Sequence, residues 1–360
     1  MTYIYLGNYQ LELKSKFGYS ISWSSFEEIT SKAILAEKSG FDSIWYHDHL
    51  MIPGNAPVLE SFAVLTALTT KTNRCAIGQS VVDTSRRHPA TIAHSALTLN
   101  HISKGRTFLG LGTGEAMNLT PLGLDMAKPL KRLRESLQFV KGLFTATKNS
   151  PFSFSGDIFS AKNLFLNVDN KITSVPPIYV GASGPKTREI TGEFADGWVP
   201  YVHSLSNYGR LVEDIVNGTK KSKRKISDLD LVANVPVLIT NTENDVRRKK
   251  IGRSLSIRLL LEGNTLKDLG WKQEIPKEIL QSQMVINESV SKTLEQEADK
   301  IPSEITEQIA AIGRPAQIIE ILEKYKKIGA NHFLIKFLGQ VSNEDFKKFN
   351  SEIIHVMNNT

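Results

Sequence analysis

The sequence contains a single cysteine, Cys75, so a disulfide within the chain is excluded and a reducing compartment is expected. It also lacks any apolar run near the roughly 20 residues that a membrane-spanning helix needs. The first residues, Met1 to Gly7, lack the basic segment followed by an apolar segment that an export signal has. These absences together predict a cytoplasmic protein without a membrane partner.

Acidic residues are too few to balance the basic ones, and the 360 residues carry a formal net charge of +7. Much of the excess lies in two clusters, at 220–225 and at 247–253. Neither cluster is interleaved with aromatic residues, as a surface for single-stranded nucleic acid is. We therefore interpret both as solvated faces and expect no nucleic-acid partner, whereas an anionic small molecule is compatible with the charge.

Short apolar runs alternate with amphipathic helical stretches along almost the whole chain. The strand-like runs are Phe17–Trp23, Ser43–Tyr46, Cys75–Val82, Thr107–Leu111, Pro177–Val180, Gly197–Tyr201, Leu231–Ile239 and His332–Phe337. Such alternation predicts parallel strands joined by right-handed crossovers, and eight strands favour a closed barrel over an open sheet. The predicted fold class is therefore α/β, a (β/α)₈ TIM barrel that forms one domain over residues 1–360.

The segment from about 251 to 308 breaks this alternation, because it is polar, helical in pattern and without a strand-like run. We interpret it as a helical insertion before the last βα unit, which resumes at Gly313. Insertions that follow barrel strands lie at the catalytic mouth, where they shape the substrate pocket.

The string Trp45-Tyr46-His47-Asp48-His49 ends the second predicted strand, at the face where barrel enzymes carry their active sites. His47 and His49 are two residues apart and are expected to point to the same side. They could bind a metal, supply a general base, or form hydrogen bonds at the rim. A metal needs further ligands from other strand ends, so the sequence favours a catalytic His49 and no metal.

A glycine-rich turn, Gly110-Leu-Gly-Thr-Gly-Glu, follows the fourth predicted strand. Its glycines allow backbone amides to approach a ligand closely, and Glu115 is expected to project into the barrel mouth. The alternative for Glu115 is a structural role as a helix N-cap partner. A dinucleotide-binding interpretation is disfavoured, because the turn does not belong to the first βα unit.

A third motif, Gly181-Ala-Ser-Gly-Pro-Lys, leads from a strand into a helix. Backbone amides and a hydroxyl at the positive end of a helix bind anions, and Pro185 suits the first helical turn. We therefore expect a phosphate-bearing ligand here, with a plain tight turn as the alternative.

Taken in order, the motifs resemble the bacterial-luciferase-like superfamily and, within it, the branch that uses coenzyme F420. The resemblance rests on Asp48-His49, Arg87-His-Pro-Ala, Gly105-Arg-Thr-Phe-Leu-Gly-Leu-Gly-Thr-Gly-Glu-Ala-Met-Asn, Arg132-Leu-Arg-Glu, Pro177-Ile-Tyr-Val-Gly-Ala-Ser-Gly-Pro-Lys and Ala195-Asp-Gly-Trp. The Gly-Thr-Gly-Glu-Ala-x-Asn string is most similar to the F420-dependent glucose-6-phosphate dehydrogenase and secondary-alcohol dehydrogenase subgroup.

The resemblance implies coenzyme F420 as the cofactor, with FMN as the alternative, and a homodimer. It implies a non-prolyl cis peptide at Ser80-Val81 behind the cofactor ring. The other implied cofactor-binding residues are Asp48, Thr113, Gly114, Asn118, Ala182, Ser183, Gly184 and Pro185. It further implies that His49 takes the proton of a substrate hydroxyl while a hydride leaves the same carbon, and that Glu115 assists proton transfer near the ring.

Departures from the pattern of this subgroup predict a substrate other than glucose 6-phosphate. Pro53 stands where a tryptophan is usual, and Ser24 stands where a glutamate is usual. The cations that hold a sugar phosphate in the subgroup are replaced by Ser204, Gln296 and Ile309. A more apolar or planar substrate is indicated by Trp23, Trp198 and Tyr201.

The leading hypothesis is an F420-dependent oxidoreductase that acts on an alcohol or, in reverse, on a reducible substrate. A reductase similar to the methylenetetrahydromethanopterin reductases is the first alternative, and an FMN-dependent luciferase-like monooxygenase is the second. A metal-dependent barrel hydrolase and an F420-binding protein without turnover complete the set.

Overall fold

The computed structural model describes residues 14–168, 174–242 and 246–359. The N-terminal residues Met1 to Gly7, on which the expectation about export rests, lie outside these ranges. No helix within the described ranges is long and apolar enough to cross a membrane.

Eight parallel strands close into a barrel, which confirms the predicted α/β fold. The strands of the chain are β1 (Lys16–Ser20), β2 (Ser43–Tyr46), β3 (Ala76–Gln79), β4 (Val82–Asp83), β5 (Thr107–Gly112), β6 (Phe152–Ser155), β7 (Ser160–Leu164), β8 (Ile178–Gly181), β9 (Gly197–Val199), β10 (Asp230–Ile239), β11 (Ala311–Gly313) and β12 (His332–Phe337). Around the barrel the order is β1, β2, β3, β5, β8, β9, β10 and β12, and Lys16 opposite His332 closes the ring.

Several strands differ from the predicted runs, and β9 ends at Val199, so Tyr201 lies beyond it. The first strand ends at Ser20, so Trp23 lies in the loop that follows it. The third run is divided into β3, which pairs with β2 and β5, and β4, which pairs with β5 alone among the described residues. The antiparallel hairpin β6–β7 and the short strand β11, which extends the edge of β10, were not predicted.

The helices are α1 (Phe26–Lys38), α2 (Ser61–Thr69), α3 (Pro89–Ile102), α4 (Ala116–Leu119), α5 (Pro129–Thr145), α6 (Pro185–Phe194), α7 (Leu205–Lys221), α8 (Val246–Glu262), α9 (Asn264–Asp268), α10 (Glu288–Ala298), α11 (Ser303–Thr306), α12 (Pro315–Lys327), α13 (Asn343–Phe349) and α14 (His355–Asn359). Local sequence fixes several of their starts. Ser25 caps α1 by accepting from the Glu28 amide, and Ser204 and Asn207 form a capping box at α7. Proline occupies the first turn of α3, α5, α6 and α12, where its missing amide costs nothing.

The segment between β10 and β11 is the helical insertion that the sequence predicted before the last βα unit. It begins earlier than expected, at Val246, and its helices α8 to α11 build a second apolar core. That core includes Leu255, Leu259 and Leu294 from the insertion and Met117 and Leu338 from the barrel loops. The insertion is therefore packed onto the mouth of the barrel at the carboxyl ends of the strands.

Large side chains fill the barrel interior beneath this mouth. The Trp45 and Phe108 ring centroids lie 4.1 Å apart, and Tyr179 packs edge-on to both rings. Val199, Val232 and Leu334 complete the same cluster from the neighbouring strands. The barrel is a packed core and not a pore, so a ligand can enter only from the mouth.

Candidate active site

A cavity of about 1090 Å³ opens at the carboxyl ends of the barrel strands, beneath the helical insertion. Among the residues predicted for the site, those that line it are His49, Glu115, Asp48, Ser80, Val81, Thr113, Gly114, Asn118, Ala182, Ser183 and Gly184. Pro185 instead lines a smaller adjoining cavity, together with Ala182 and Ser183. The chain therefore brings four separate stretches of sequence to one site.

His47 is held by hydrogen bonds at both ring nitrogens. Nδ1 lies 2.7 Å from the Ser80 carbonyl oxygen and must donate to it, so Nε2 accepts from the Ser20 hydroxyl at 3.1 Å. Burial, assisted by the nearby charge of Lys336, lowers the His47 pKa to about 3. The ring is therefore neutral at physiological pH, and its role is to position the strand end at Ser80.

His49 takes its orientation from Asn118. The Asn118 Oδ1 accepts from the backbone amides of Leu50 at 2.8 Å and Met51 at 3.1 Å, which fixes the orientation of the amide group. Its Nδ2 therefore donates to His49 Nδ1 at 3.0 Å, and the neutral ring carries its proton on Nε2. The Glu115 Oε2 atom lies 3.5 Å from the same Nδ1.

Glu115 occupies the N-cap position of α4, but its side chain makes no capping hydrogen bond. The capping interpretation is therefore wrong in this structure. The carboxylate instead accepts from Gln281 Nε2, while the Gln281 carbonyl accepts from the Ala116 amide at 3.2 Å. The insertion thus holds Glu115 beside His49, a contact between distant segments that no sequence motif signals.

Asp48 is the centre of a buried ion-pair network. Its carboxylate pairs with Arg86, with Arg87 at 2.7 Å, and accepts from the Ser61 hydroxyl at 2.7 Å. Asp83 also pairs with Arg86, so charges of opposite sign balance locally. The lone pairs of Asp48 are largely used by protein donors, so the ion pairs with the two arginines hold Asp48 itself in place in the cavity wall.

The Ser80–Val81 peptide bond is cis, as the resemblance implied. The Val81 side chain then packs directly on two strands, where the neighbouring positions are glycines. A Cβ atom at Gly112 would lie 2.6 Å from Val81 Cγ2, and one at Gly181 would lie 2.9 Å from the same atom. Both distances are shorter than real contacts, so only glycine fits at either position.

The loop before α6 presents backbone amides to the cavity. Gly184 is the N-cap of this ten-residue helix and provides no side-chain acceptor, while Pro185 stands in its first turn. Arg188 donates to the Ser183 carbonyl and pairs with Asp214 at 2.8 Å, which anchors the loop. The free amides at a positive helix end suit a phosphate group.

Two cations of the cavity were not predicted as site residues, Arg258 of α8 and Lys336 of β12. Burial, with a further contribution from the charge of Arg258, lowers the Lys336 pKa to about 7. The sequence signal for Lys336 was a lone lysine in an otherwise apolar strand. Arg258 carried no comparable signal, because α8 contains several basic residues.

The expectation against glucose 6-phosphate rested on Ser204, Gln296 and Ile309, and none of the three lines the cavity. Ser204 is a buried helix cap, and Ile309 belongs to the insertion core. Trp198 is also absent from the cavity, because it is fully buried and donates to the Ala182 carbonyl at 3.0 Å. The actual lining does include Pro53, Trp23 and Tyr201.

No group of three or more histidine, cysteine, aspartate or glutamate side chains within the described ranges is placed to hold a metal ion. His47 and His49 both line the cavity and both pack against Trp23, with ring centroids 5.2 Å and 5.0 Å away. The hydrogen bonds of His47 to Ser20 and Ser80 occupy its ring nitrogens, which excludes it as a metal ligand in this arrangement.

Comparisons with known proteins agree with this geometry. The chain is 30% identical over 256 residues to an F420-dependent glucose-6-phosphate dehydrogenase of Nakamurella multipartita, covering 68% of this chain and 74% of the relative. It is 31% identical over 240 residues to a 5,10-methylenetetrahydromethanopterin reductase of Methanolobus tindarius, covering 66% and 68% of the two chains.

A solved F420-dependent secondary alcohol dehydrogenase, in complex with an F420-acetone adduct, has the same fold. Its TM-score is 0.78 at 21% sequence identity, over 95% of this chain and 98% of that one. The resemblance to F420-dependent enzymes that the motifs predicted is therefore confirmed by the relatives. Residues 12–332 match the family described as luciferase-like monooxygenase, and the chain belongs to that family.

Proposed function

We propose that this protein is an F420-dependent oxidoreductase that transfers a hydride between the deazaflavin and an alcohol or its carbonyl counterpart. The observation that carries the proposal is the His49–Asn118–Glu115 arrangement, which provides a positioned proton carrier in the wall of one large cavity. The similarity to F420-dependent dehydrogenases and reductases supports the choice of cofactor and reaction class.

The residues present fit a cofactor with a flat ring and a phosphate. Val81, seated on Gly112 and Gly181, provides a smooth apolar wall for a ring, with Thr113 and Gly114 beside it. The amides at the start of α6 provide the phosphate contacts through Ser183 and Gly184. When bound, F420 would supply the acceptor or donor of a hydride, which is two electrons and one proton.

The proton chemistry belongs to His49. In the described part of the chain its Nε2 has no hydrogen-bond partner, and Asn118 sets the tautomer in which Nε2 carries the proton. That tautomer donates a hydrogen bond to a carbonyl oxygen. Taking a proton from an alcohol requires the other tautomer, in which the Nδ1–H gives up the hydrogen bond from Asn118 and points to Glu115 instead. The Glu115 carboxylate then stabilises the imidazolium that forms.

A second candidate reaction is reduction of a methylene group on a pterin, since a methylenetetrahydromethanopterin reductase is among the similar proteins. The cavity volume admits a large planar substrate, and Trp23 and Tyr201 offer aromatic surfaces in its wall. The use of FMN in place of F420 would instead move the function to monooxygenase chemistry.

The proposal is tested by titrating the purified protein with F420 and, in parallel, with FMN, while the fluorescence of each cofactor is followed. Tight binding of F420 and weak binding of FMN is the expected result. Alcohols, ketones and pterins are then screened through the change in deazaflavin absorbance. Preference for FMN, or F420 binding without hydride transfer to any of these compounds, would contradict the proposal.

The variants His49→Ala and Glu115→Gln are expected to fold normally and to lose turnover by roughly 10²–10⁴-fold and 10²-fold, since each removes part of the proton transfer. The matched control is Lys71→Met at an exposed position at the end of α2. Single-turnover reduction or oxidation of F420 measures the step. Wild-type rates in both site variants would refute their assigned roles.

We further infer a cytoplasmic protein that forms one domain and assembles as a homodimer. Size-exclusion chromatography coupled to light scattering tests the dimer. Limited proteolysis followed by mass spectrometry tests whether residues 1–360 resist cleavage as one unit. A monomeric mass in solution would contradict the dimer.

A further inference from the structure

Arg258 and Lys336, together called the cationic pair, line the cavity without an acidic partner. No ion pair joins either side chain to a carboxylate within the described ranges, whereas Arg253, on the same helix as Arg258, is paired with Asp299. Arg258 is 8% exposed, and its charge acts on Lys336. Arg258 is buried and Lys336 is partly buried, and their positive charges repel each other, so this arrangement is unfavourable unless an anion joins it.

Hydrogen-bond donors at the cationic pair also lack acceptors. The buried Nε atoms of Arg258 and of the Trp23 indole (Nε1) have no hydrogen-bond partner among the described residues. Arg258 Nη2 donates to the Tyr201 carbonyl at 3.0 Å, which holds the guanidinium in place and leaves the Nε edge unused. Lys336 Nζ lies 5.7 Å from the centre of the Trp23 ring. Buried donors without acceptors cost free energy, and both Arg258 and Trp23 line the cavity, so a ligand with acceptor atoms at this position would complete their hydrogen bonds.

Four of the five acidic side chains around the cavity are committed elsewhere, and the fifth, Glu274, is exposed and forms no ion pair with the cationic pair within the described ranges. Asp48 and Asp83 pair with Arg86. Glu115 accepts from Gln281, and Glu262, one helical turn after Arg258, accepts from the Thr265 amide at 2.6 Å. The charge that would neutralise the cationic pair therefore comes from outside the described chain.

We propose that the cationic pair and the Trp23 indole bind a carboxylate of the substrate, so that the substrate is a hydroxy acid or the corresponding oxo acid. This inference rests on the proposed oxidoreductase function and names the substrate class of the same site. A carboxylate matches the planar Nε edge of a guanidinium. It also brings one negative charge to a pair in which only Arg258 is a full cation at neutral pH, because the lysine pKa is about 7.

The position of Trp23 links this subsite to the reacting carbon. Its indole ring centroid lies 5.0 Å from that of His49, and its ring also lies beneath Lys336. A substrate whose carboxylate meets the cationic pair therefore places a nearby hydroxyl within reach of His49. In the oxidation, the C–H bond breaks and its hydride passes to the deazaflavin, the O–H proton passes to His49, a C=O bond forms, and the carboxylate is unchanged.

The first test measures binding without any cofactor. Calorimetric titration with benzoate and with its neutral isostere benzamide, at low ionic strength, is expected to show binding of benzoate and at least tenfold weaker binding of benzamide, as loss of one charged hydrogen bond predicts. Lys336→Met is expected to weaken benzoate binding by about tenfold or more, and Lys336→Arg to restore it. Lys71→Met is the surface control and is expected to bind as the wild type does.

Three results of this test would overturn the inference. Equal binding of benzoate and benzamide would show that the charge is not recognised. Unchanged benzoate affinity in Lys336→Met and in Arg258→Met would show that the cationic pair is not the subsite. Tighter binding of inorganic phosphate than of benzoate, with the same dependence on Lys336, would assign the subsite to phosphate esters and refute the carboxylate.

A second test uses the F420-loaded enzyme and separates this inference from the proposed function. Lys336→Met is expected to raise KM for hydroxy acids about tenfold more than KM for neutral alcohols of the same size. Preference of the wild type for neutral alcohols over hydroxy acids would refute the inference while the oxidoreductase function stands. Benzoate binding that depends on Lys336, in a protein that transfers no hydride, would refute the function and keep the anion subsite.

Discussion

Asp48 and the cationic pair line the same cavity, but their charges are organised in opposite ways. On the wall formed after β2 and β4, Asp48 is paired with Arg86 and Arg87 and accepts a further hydrogen bond from Ser61. Between β12 and α8, the cationic pair of Lys336 and Arg258 has no carboxylate partner in the described chain. In the first set, the positive and negative charges balance each other. In the second set, the positive charges are balanced only when an anion binds.

The difference separates charges that stabilise the fold from charges that serve a ligand. Paired and hydrogen-bonded charges keep their favourable energy in the free protein, and removal of one member leaves its partners buried and uncompensated. Unpaired cations in the protein interior lower the free energy of unfolding of the ligand-free protein, and removal of one of them is expected to raise it. Opposite effects on stability are therefore expected from neutralising the two sets.

The largest effect is expected at Asp48. The variant Asp48→Asn removes the carboxylate that Arg86 and Arg87 share, although Asp83 and Glu60 remain as partners, so the free energy of unfolding is expected to fall by about 3 kcal/mol. Denaturant-induced unfolding followed by circular dichroism measures this change. A loss below about 1 kcal/mol, as for an exposed ion pair, would break the contrast between the two sets.

The opposite sign is expected at Lys336. The variant Lys336→Met, without an added anion, is expected to raise the free energy of unfolding by on the order of a few kcal/mol near pH 6. The folded-state pKa of Lys336 is lowered to about 7, from 10.5 in the unfolded chain, so the unfolded state binds more protons between these values. The wild type therefore gains stability as pH rises from 7 to 10.5, and its deficit relative to the variant shrinks across that window.

Unfolding curves of wild type and Lys336→Met at pH 6, 8 and 10 measure this dependence. A gap that stays constant with pH would show that the variant acts through packing and not through the charge. Addition of benzoate at pH 6 is expected to stabilise the wild type more than the variant, because the variant binds benzoate more weakly.

The smallest change in stability is expected at an exposed ion pair, which serves as the reference for the two sets in the cavity. Glu320 and Lys324 form an ion pair at 2.7 Å on the surface of α12. The variant Glu320→Gln is expected to unfold at the same denaturant concentration as the wild type, because solvent screens this pair. A clear change in the denaturation midpoint would mean that losing any charged partner affects stability, whether or not the pair is buried.

Much of the fold was readable from the sequence, because barrel strands are apolar runs at regular spacing. Ser43–Tyr46 and His332–Phe337 were predicted with the bounds that the structure shows. The hairpin of β6 and β7 was missed although Phe152 and Phe154 alternate with serines. Its pattern is local, but both phenylalanine rings pack edge-to-face with Phe139 of α5, a contact that the pattern does not reveal.

The residues of the candidate site likewise fall into those that local motifs predicted and those that depend on contacts between distant segments. His49, Glu115 and the Ser183-Gly184 turn were predicted because each follows a strand end in a recognisable motif. Gln281 and Arg258 were not, because they reach the cavity from the insertion, and their positions depend on contacts between segments far apart in sequence. Long-range packing of this kind leaves no periodic or compositional trace.

The shape of the cavity wall at Val81 depends on its two glycine neighbours, Gly112 and Gly181, which have no side chains. Alanine at Gly112 or at Gly181 would occupy the space of a Val81 methyl group and push it toward the cavity. The clearance available to a ligand ring would then narrow, although neither position needs to touch that ring. Substitutions at Gly112 or Gly181 can therefore alter selectivity among ring systems of different thickness or tilt, although neither residue would contact the bound ring.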